Sequence, residues 1–470
     1  MGVKICKVLL YYVKFWKNSI PMANFKGDKV IVLGGGASGI AAAELCASMG
    51  KEAVLLDSVS LPKCAAELEA KGIRCIGGPD ALEYSEVADF AIISPGVPMD
   101  CPLAKLGQNL CGNVIGELEF GAMHLDVPIL AVTGTNGKTT TVEMLNHILN
   151  GCGLKAIAAG NIGLPLCRVA LQKTKLDALV AEVSSFQLEF PGDFVPRAAA
   201  LLNITPDHLE RHYTMEEYSR LKLSLRGMVK GGSFIVQSET AKAFNLAGEG
   251  IVLFGENGRD FFLKDGAIFD REDGLLAKTE ELPFQGIHNY ENAMAAIALA
   301  REVGVEPKQA AAQLRTFKVG DHRLQTVLKA GKLTFIDDSK ATNVDALCAA
   351  LKALEAKMLP ITLIAGGLDK ACTLEMANRQ LAAQVSKVFL IGSSAERIFQ
   401  QWNGIVPCEI CGGMEEAVRK AACFHGGREG IVLLSPACSS LDIYKSYAER
   451  GDCFKAAAEK YINGAGQGLS

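Results

Sequence analysis

The strongest chemical signal in the sequence is one loop, Thr133-Gly134-Thr135-Asn136-Gly137-Lys138-Thr139-Thr140. An apolar run that predicts a buried strand precedes the loop, and a segment that predicts a helix follows it. Backbone N–H groups in such a turn, together with the helix N-terminus, attract an anion. Lys138 supplies a positive charge for the β- and γ-phosphates, and the Thr139 hydroxyl can ligate Mg²⁺. The loop therefore predicts a binding site for the triphosphate of ATP.

One position departs from the common phosphate-loop pattern. The pattern G-x-x-x-x-G-K begins with a glycine, but this sequence has Val132 at that position. The alternative is a turn that only resembles the motif, and the predicted strand and helix on either side argue against it.

Two further polar segments follow predicted strands in the same part of the chain. Glu182 stands at the end of the strand predicted at Ala178–Val183, where a carboxylate beside a phosphate loop can hold Mg²⁺. Asp207 and His208 follow the strand predicted at Ala198–Leu202, and we expect them at the same sheet edge. The structural alternatives stay open at this point. They are a hydrogen-bonded strand-end acid, and a helix-capping Asp beside a packed His.

Two helix starts are predicted nearby. Thr205 and Pro206 have the residue types of an N-cap and a first helical position. The capping box Thr214-Met215-Glu216-Glu217 opens a second helix, which carries Lys222. Composition alone leaves Lys222 as an ordinary solvated lysine.

Three polar segments follow predicted strands in the last third of the chain: Asp337 to Asn343, Gly366 to Lys370, and Ser435 to Asp442. Open α/β sheets bind ligands at the carboxyl ends of their strands. The first two segments offer lysines, and the third offers hydroxyls and a predicted helix N-terminus. Together they predict a site for a small carboxylated substrate. A surface turn is the alternative for any one of them alone.

The first predicted strand, Lys29–Leu33, leads into a glycine-rich turn. Gly34-x-Gly36-x-x-Gly39 fits the dinucleotide fingerprint, and Asp57 ends the next apolar run at a suitable distance. Alone, this pattern leaves NAD, a nucleotide-sugar or no ligand open.

The elements that position these residues require more than one core, because the chain has 470 residues. Apolar runs alternate with helical segments, which predicts parallel sheets covered on both faces. We predict an α/β protein with a Rossmann-like N-terminal domain, a central P-loop ATPase-like domain and a Rossmann-like C-terminal domain. The predicted ranges are an N-terminal extension at 1–27 and domains at 28–116, 117–319 and 320–470.

Composition narrows the classes of partner and compartment. The net charge is −4, with scattered Lys and Arg, so we expect no nucleic-acid partner. The 15 cysteines are mostly single, which is typical of the reducing cytosol and predicts a cytoplasmic protein. The one Cys-x-x-Cys pair, Cys408 and Cys411, lacks a second pair. It is interpreted as two ordinary thiols, with a metal or redox role as the alternative.

The N-terminal segment Lys7 to Lys17 is basic and apolar. It is shorter than the about 20 apolar residues that cross a bilayer, and no small-residue cleavage site follows it. We therefore expect no stable membrane insertion. The segment is interpreted as an extension or as the result of a start at Met22, with a membrane-surface helix as the alternative.

Seven motifs between about Lys29 and Phe454 together resemble those of the Mur ligases. They are Gly134–Thr139, Glu182–Glu189, Asn203–Leu209, His288–Asn292, His322–Arg323, Asp338–Asn343 and Leu434–Asp442. The Thr-Asn-Gly-Lys loop is shared across that family. The Ser-Ser-Phe-Gln-Leu-Glu and Asp-Ser-Lys-Ala-Thr-Asn runs resemble the members that add D-glutamate.

The resemblance implies an ATP-dependent amide ligase of peptidoglycan synthesis. It implies the substrates UDP-N-acetylmuramoyl-L-alanine and D-glutamate, an acyl-phosphate intermediate, two Mg²⁺ ions, and CO₂ bound as a lysine carbamate. We expect a monomer. Other family members that add a different amino acid, or that extend folate with glutamate, are the near alternative. A nucleotide-switched binding protein with an inactive site is the distant alternative, and the presence of Lys138, Thr139, Glu182, His208 and Lys222 argues against it.

The resemblance also implies a role for each matching residue. ATP contacts are implied at Gly134, Thr135, Asn136, Gly137, Lys138, Thr139, Thr140, Asn292, Arg323 and Asp338. UDP-substrate contacts are implied at Gly34, Gly36, Ser38, Gly39, Asp57, Ser58, Gly96 and Asn161. D-Glutamate contacts are implied at Lys340, Thr342, Lys370, Ser440, Leu441 and Tyr447. The implied metal ligands are Thr139, Glu182, His208 and carbamylated Lys222, and the implied catalytic residues are Lys138, His208 and Lys222.

Two positions depart from the family pattern. Leu221 precedes Lys222 where alanine is common, and Tyr447 stands where phenylalanine is common. Tyr447 keeps the aromatic surface and adds a hydroxyl to the predicted amino-acid site.

Overall fold

The computed structural model of the chain describes residues 27–190, 192, 194–368 and 373–465. The first 26 residues, including the segment before Met22, and Lys370 lie outside the described residues. No helix among the described residues is long and apolar enough to cross a membrane.

The first sheet contains five parallel strands in the order β3-β2-β1-β4-β5. The strands are β1 Lys29–Leu33, β2 Glu52–Asp57, β3 Arg74–Gly77, β4 Phe90–Ile93 and β5 Val114–Gly116, and the helices are α1 Ala37–Ser48, α2 Ala65–Glu69, α3 Pro102–Cys111 and α4 Glu117–Ala122. Four consecutive residues of β1 are buried, as expected for a strand covered on both faces. The strand order is that of a Rossmann-like half, with its switch point between β1 and β4.

The second sheet has nine strands in the order β14-β13-β12-β11-β10-β9-β6-β8-β7. Its strands are β6 Ile129–Thr133, β7 Ala156–Gly160, β8 Ala178–Glu182, β9 Ala198–Leu201, β10 Phe234–Gln237, β11 Ile251–Gly255, β12 Phe261–Lys264, β13 Ala267–Asp270 and β14 Gly274–Lys278. Its helices are α5 Lys138–Gly151, α6 Leu166–Gln172, α7 Leu209–His212, α8 Met215–Met228, α9 Ser238–Ala243, α10 Ile287–Arg301 and α11 Pro307–Leu314. Strands β12 to β14 form antiparallel hairpins.

The third sheet has six strands in the order β15-β16-β20-β17-β18-β19, and only β15 is antiparallel to its neighbour. Its strands are β15 Gln325–Ala330, β16 Leu333–Asp337, β17 Ile361–Ala365, β18 Val385–Leu390, β19 Cys408–Ile410 and β20 Gly430–Leu434. Its helices are α12 Val344–Leu354, α13 Asn378–Gln384, α14 Ala395–Trp402, α15 Met414–Phe424 and α16 Tyr447–Ala465.

Strand order explains how polar segments far apart in the sequence meet. In the second sheet, β9, β6, β8 and β7 are consecutive neighbours, and the predicted phosphate and metal segments follow them. In the third sheet, β16, β20 and β17 are neighbours, and the three polar segments of the last third follow those strands. Carboxyl ends of adjacent parallel strands lie at one sheet edge, so the fold brings each set together.

Two predicted helix starts are wrong. Helix α7 begins at Leu209 rather than at Pro206, because Thr205 is engaged elsewhere: its N–H donates to Thr135 Oγ1 at 2.9 Å, and its hydroxyl donates to Asp345 Oδ2 at 3.2 Å. No helix begins within the segment Ser435 to Asp442 either. Ser439 forms an isolated bridge with Leu368, and the chain makes turns until α16.

The predicted capping box is confirmed: Thr214 Oγ1 accepts a hydrogen bond from the N–H of Glu217 at 3.2 Å. Each sheet lies inside one of the predicted segments 28–116, 117–319 and 320–470. The boundaries themselves stay predictions.

A buried carboxyl group sits where the first two sheets meet. Glu117 begins α4 and is 1% exposed. Its Oε1 accepts the N–H of Cys167 at 2.8 Å, and its Oε2 is buried without a hydrogen-bond partner. Burial raises the pKa of Glu117 to about 7.

This pKa predicts a pH-dependent stability that Glu117→Gln removes. The folded chain keeps a proton that the unfolded chain releases above its ordinary pKa of 4.5. Wild-type stability therefore falls as pH rises from 4.5 through about 7, by on the order of 3 kcal/mol in full. Urea unfolding at pH 5 and pH 8 measures this loss. We expect Glu117→Gln to lose less stability than the wild type, and the exposed-acid control Glu67→Gln to behave like the wild type. Equal pH slopes in all three proteins would contradict the assignment.

Candidate active site

The phosphate loop is held in place by hydrogen bonds to the segment after β9 and by hydrogen bonds from its own lysine. The Thr135 N–H donates to Asn203 O at 2.9 Å, and its hydroxyl donates to Thr205 O at 3.0 Å. Lys138 Nζ donates to two carbonyl oxygens of the same loop, Gly134 at 2.8 Å and Thr135 at 2.7 Å. The loop is therefore fixed before any ligand arrives, with its lysine beside the turn.

Gly137 is required in this turn for two reasons. It is the N-cap of α5 with φ +85°, a conformation that side chains disfavour. A Cβ there would lie 2.4 Å from Asn292 Oδ1. The same Asn292 oxygen accepts the Thr141 hydroxyl at 3.2 Å, so it is held in place.

A cleft of about 780 Å³ opens in front of this loop, between the second and third sheets. It collects most of the residues that the sequence predicts for ATP, the metal and the amino acid. Those lining it are Thr135, Asn136, Gly137, Lys138, Thr139, Thr140, Asn161, Glu182, His208, Asn292, Arg323, Asp338, Lys340, Thr342 and Tyr447.

The acidic edge of the cleft contains a buried carboxylate with one oxygen that can still accept a ligand. Glu182 is 2% exposed; its Oε1 accepts from Asn161 Nδ2 at 2.8 Å, and its Oε2 is buried without a partner. His208 adopts a left-handed backbone with φ +54°, and its ring contacts Phe186 at 4.7 Å between centroids. Its ring Nε2 lies 3.6 Å from Asp207 Oδ2. These groups form an oxygen- and nitrogen-rich edge suited to a divalent cation.

Lys222 is buried rather than solvated. It is 1% exposed, and its Nζ donates to Gly134 O at 2.8 Å, the oxygen that Lys138 also contacts. Burial lowers the pKa of Lys222 well below its ordinary value, and the charge of Lys138 lowers it further. Asp207 and Glu182 act in the opposite direction. The site therefore disfavours the charged form of the Lys222 amine.

The third domain contributes charged groups from the opposite wall. Arg323 Nη2 is buried without a hydrogen-bond partner, which leaves a donor available in the cleft. Asp338 accepts the Leu324 N–H at 3.2 Å and the Ser435 hydroxyl at 2.8 Å. Burial raises the pKa of Asp338 to about 7.

The residues predicted for the amino acid divide into two groups. Lys340 Nζ donates to Tyr447 OH at 3.1 Å and lies 4.3 Å from the ring centroid, and Thr342 faces the same cleft. Ser440 is buried and Leu441 is exposed, and neither lines this cleft.

The residues predicted for a UDP substrate lie in the first domain, apart from Asn161. Gly39 packs so closely that a Cβ would lie 1.8 Å from Gly34 O. Asp57 Oδ2 accepts the Gly35 N–H at 2.7 Å, so this carboxylate braces the glycine turn. Gly36 is the N-cap of α1 and Ser38 lies in the first turn of that helix, while Ser58 and Gly96 follow β2 and β4, which flank β1.

Sequence reasoning assigned no role to two arginines that join these parts. Arg211 donates to both carboxylate oxygens of Glu189 at 2.9 and 2.7 Å. It also donates to the carbonyls of Pro95 at 3.2 Å and Val97 at 3.1 Å, in the first domain. In the sequence, the only indication of a role for Arg211 is its position three residues after His208.

Arg450, which is 1% exposed, donates to the carbonyls of Ser339 at 2.8 Å and Cys438 at 3.0 Å. It thereby ties the segments after β16 and β20 together. No pattern in the sequence marks it.

Cys408 lies in β19 and Cys411 follows it. Within residues 27–190, 192, 194–368 and 373–465, no three His, Cys, Asp or Glu side chains form a group that could hold a metal. The cysteines of the described part of the chain are all free, and the interpretation of this pair as ordinary thiols stays a prediction.

Two family models match the chain. The Mur ligase middle domain matches residues 132–300, and the Mur ligase, glutamate ligase domain, matches residues 322–438. The chain is 36% identical over 455 residues to the UDP-N-acetylmuramoylalanine--D-glutamate ligase of Thermoanaerobacter sp. (strain X514), covering 92% of this chain and 98% of that protein. It is 37% identical to the ligase of the same name from Nitratidesulfovibrio vulgaris (strain DP4), covering 92% and 96%.

Solved structures resemble the fold at low identity. A pseudomurein peptide ligase type C from Methanothermus fervidus aligns with a TM-score of 0.59 and 18% identity, covering 92% of this chain and 99% of that chain. A MurF ligase from Thermotoga maritima in complex with ADP aligns with a TM-score of 0.58 and 17% identity, covering 93% and 95%. These similarities concern the fold, and they confirm the predicted three-domain α/β class.

Gly137→Ala tests the phosphate loop. We expect it to weaken ADP binding at least about tenfold, because the left-handed backbone costs about 1–2 kcal/mol and the Cβ meets Asn292. Gly153→Ala is the matched control, since Gly153 has φ +90° beyond the other end of α5 and open space around it. Isothermal titration with ADP compares the two. Equal affinities in the two variants would show that contact with Asn292 is unimportant.

Proposed function

The chain belongs to the Mur ligase family, and we propose that it joins D-glutamate to UDP-N-acetylmuramoyl-L-alanine at the expense of ATP, in peptidoglycan precursor synthesis. Full-length similarity to D-glutamate ligases supports the choice of amino acid. One structural observation carries the proposal: the phosphate loop, the Glu182 edge and Lys340 line a single cleft. An amide ligase needs this arrangement, because the nucleotide phosphorylates an oxygen of the same carboxyl group whose carbon the incoming amine then attacks.

The reaction divides into two balanced steps. The terminal carboxylate of the first substrate attacks the γ-phosphorus of ATP, an acyl phosphate forms, and ADP leaves. The amine of D-glutamate then attacks the acyl carbon, the amide forms, and inorganic phosphate and a proton leave. Neither step requires a nucleophilic side chain, so catalysis rests on positioning and charge.

The first step brings two anions together and therefore needs positive charge. Lys138 supplies it at the phosphate loop, and the buried Nη2 of Arg323 offers a second donor in the cleft. His208, at the opposite edge, is placed to assist removal of a proton from the attacking amine.

The residues at the acidic edge fit Mg²⁺. Glu182 Oε2 is a buried carboxylate oxygen without a partner, and the Thr139 hydroxyl and His208 line the same cleft. Mg²⁺ in phosphoryl-transfer sites takes one or two protein groups and fills its shell with phosphate oxygens and water. When bound, Mg²⁺ neutralises the phosphate oxygens. We propose two such ions.

We propose that Lys222 is carbamylated by CO₂. Carbamate formation requires a neutral amine, and burial beside Lys138 favours the neutral form of Lys222 by lowering its pKa. The product is an anionic oxygen ligand within electrostatic reach of Glu182, and a metal can pair with it.

The remaining assignments follow the domains. We propose that residues 28–116 bind the UDP portion through the glycine turn, Asp57, Ser58 and Gly96, and that 117–319 and 320–470 bind ATP and D-glutamate. Lys340, Thr342 and Tyr447 face the cleft, whereas Ser440 and Leu441 lie outside it. A monomer in the cytoplasm is part of the proposal.

An amino-acid panel tests the proposed substrate. Phosphate release is measured with ATP, UDP-N-acetylmuramoyl-L-alanine and each of D-glutamate, L-glutamate and L-lysine. We expect release with D-glutamate only. Release with L-lysine or with a folate substrate instead would assign the chain to another branch of the family. No release with any of them would favour the nucleotide-switched binding protein.

Lys222→Ala tests the carbamate. We expect amide formation to fall at least about 10²-fold, because the metal edge loses an anionic ligand. Wild-type activity is expected to fall in bicarbonate-free buffer and to return on addition of bicarbonate. The control is Lys230→Ala, which removes a lysine from the loop after α8. Full activity in Lys222→Ala would rule out an essential carbamate there.

A further inference from the structure

The N-terminus of α12, in the third domain, contacts the phosphate loop directly. Asn136 Nδ2 donates to Asp345 Oδ2 at 2.7 Å. Asn343 Nδ2 donates to Asn136 Oδ1 at 3.1 Å. The nitrogen and the oxygen of the Asn136 carboxamide are thus held by residues 209 and 207 positions later in the chain.

The backbone of Asn136 is held by the second domain. Its N–H donates to Asn203 Oδ1 at 2.8 Å, and its carbonyl accepts from Asn203 Nδ2 at 3.1 Å. Asn136 is therefore the residue of the phosphate loop at which both domains take hold. A shift of the third domain therefore moves or breaks the hydrogen bonds of the Asn136 side chain.

Asp345 also reaches the segment after β9. Its Oδ2 accepts the Thr205 hydroxyl at 3.2 Å, so one carboxylate oxygen receives two donors from the second domain. We call Asn136, Thr205 and Asp345 the latch. Thr205 was expected to cap a helix, and its use in the latch explains why it does not.

Asn343 supports the latch from inside the third domain. Its Oδ1 accepts the Ala346 N–H at 2.9 Å and caps α12, which fixes the first turn that carries Asp345. Its Nδ2 also lies 3.3 Å from Asp207 Oδ2. Because Asn343 has this capping role, Asp345 is the better residue to change: among the described residues of the third domain, none forms a hydrogen bond with its side chain, whose two bonds go to the second domain.

We propose that Asp345 is a positioning residue that couples closure of the third domain to the shape of the phosphate loop. Hydrogen bonds to a charged acceptor are about twice as strong as neutral ones, so the carboxylate is a strong clasp. The inference rests on the proposed function for its catalytic consequence. The acyl phosphate forms at this loop, and the third domain must stay closed until the amine attacks.

Loss of the latch is therefore expected to uncouple the two steps. With the third domain loosely held, water reaches the acyl phosphate, and phosphate is released without amide. The ratio of phosphate to amide reports this, and a purely structural defect would lower both products together.

The experiment compares three variants of the full chain. Asp345→Ala removes both accepted hydrogen bonds, and we expect amide formation to fall about tenfold and the phosphate-to-amide ratio to rise at least about threefold. Asp345→Asn keeps an acceptor oxygen of the same shape but loses the charge, and we expect it to restore about half of the coupling. Glu396→Ala is the control, because Glu396 also lies in the first turn of a third-domain helix but is exposed.

Two outcomes would overturn the proposal. If Asp345→Asn is as defective as Asp345→Ala, the negative charge matters rather than the hydrogen bonds, as for a cation ligand or a helix-dipole effect. If Asp345→Ala keeps one phosphate per amide at any rate, Asp345 does not couple the steps. A double-mutant cycle with Thr205→Val, which removes only the second donor, should give a combined effect smaller than the product of the two single effects.

Hydrogen exchange tests the latch without any turnover. In Asp345→Ala, the amides of residues 134–137 and 343–348 are expected to exchange at least about threefold faster than in the wild type, with no change in Glu396→Ala. Unchanged exchange would remove the structural basis of the latch. If instead the wild type forms no amide while the exchange difference is present, the proposed function fails and the latch stands.

Discussion

Two lysines converge on one carbonyl oxygen, and the rest of the site is arranged around the consequence. Lys138 and Lys222 both donate to Gly134 O, at 2.8 Å each. Lys138 is half-buried and lines the cleft, whereas Lys222 is buried, and burial together with the charge of Lys138 lowers the pKa of Lys222 well below its ordinary value. The loop thus combines one lysine that faces the cleft with one buried lysine whose charged form is disfavoured. The proposed reaction, which starts by joining two anions, uses the first lysine, and the proposed carbamate uses the second.

The topology supplies the remaining parts at low cost. Each polar segment follows a parallel strand, and the strands in question are neighbours in their sheets, so short loops suffice to bring the groups together. The segment after β6 carries the phosphate loop, β8 ends at Glu182, and the segment after β7 carries Asn161, which holds one oxygen of Glu182. The other oxygen stays unpartnered in a buried position, an arrangement that is costly unless a cation uses it. This is a physical reason to place the metal there.

The sequence was sufficient wherever a local pattern determined the structure. The first strand is one case: Lys29–Leu33 is a continuous apolar run, and the bounds of β1 match the predicted ones. Lys222 was different, because its burial depends on how α8 packs under the phosphate loop. The prediction for Thr205 is wrong for a related reason. Its residue type and the following Pro206 are typical of a helix cap, but its hydroxyl donates to Asp345, 140 residues away. Arg211, Arg450 and Asp345 act only across long distances, and no local pattern distinguishes them from surface charges.

Two of these long-range residues, Arg211 and Asp345, connect an outer domain to the central one. Arg211 ties the loop after β4, in the first domain, to Glu189 in the second, and Asp345 ties the third domain to the phosphate loop. Both contacts end within a few residues of groups assigned to the reaction: Arg211 is three positions from His208, and Asn136 is two from Lys138. In the proposed reaction, a carboxylate held by the first domain, a phosphate held by the second and an amine held by the third must meet within bonding distance. Hydrogen bonds that lock each outer domain to the central loops set that distance more directly than contacts at the domain surfaces.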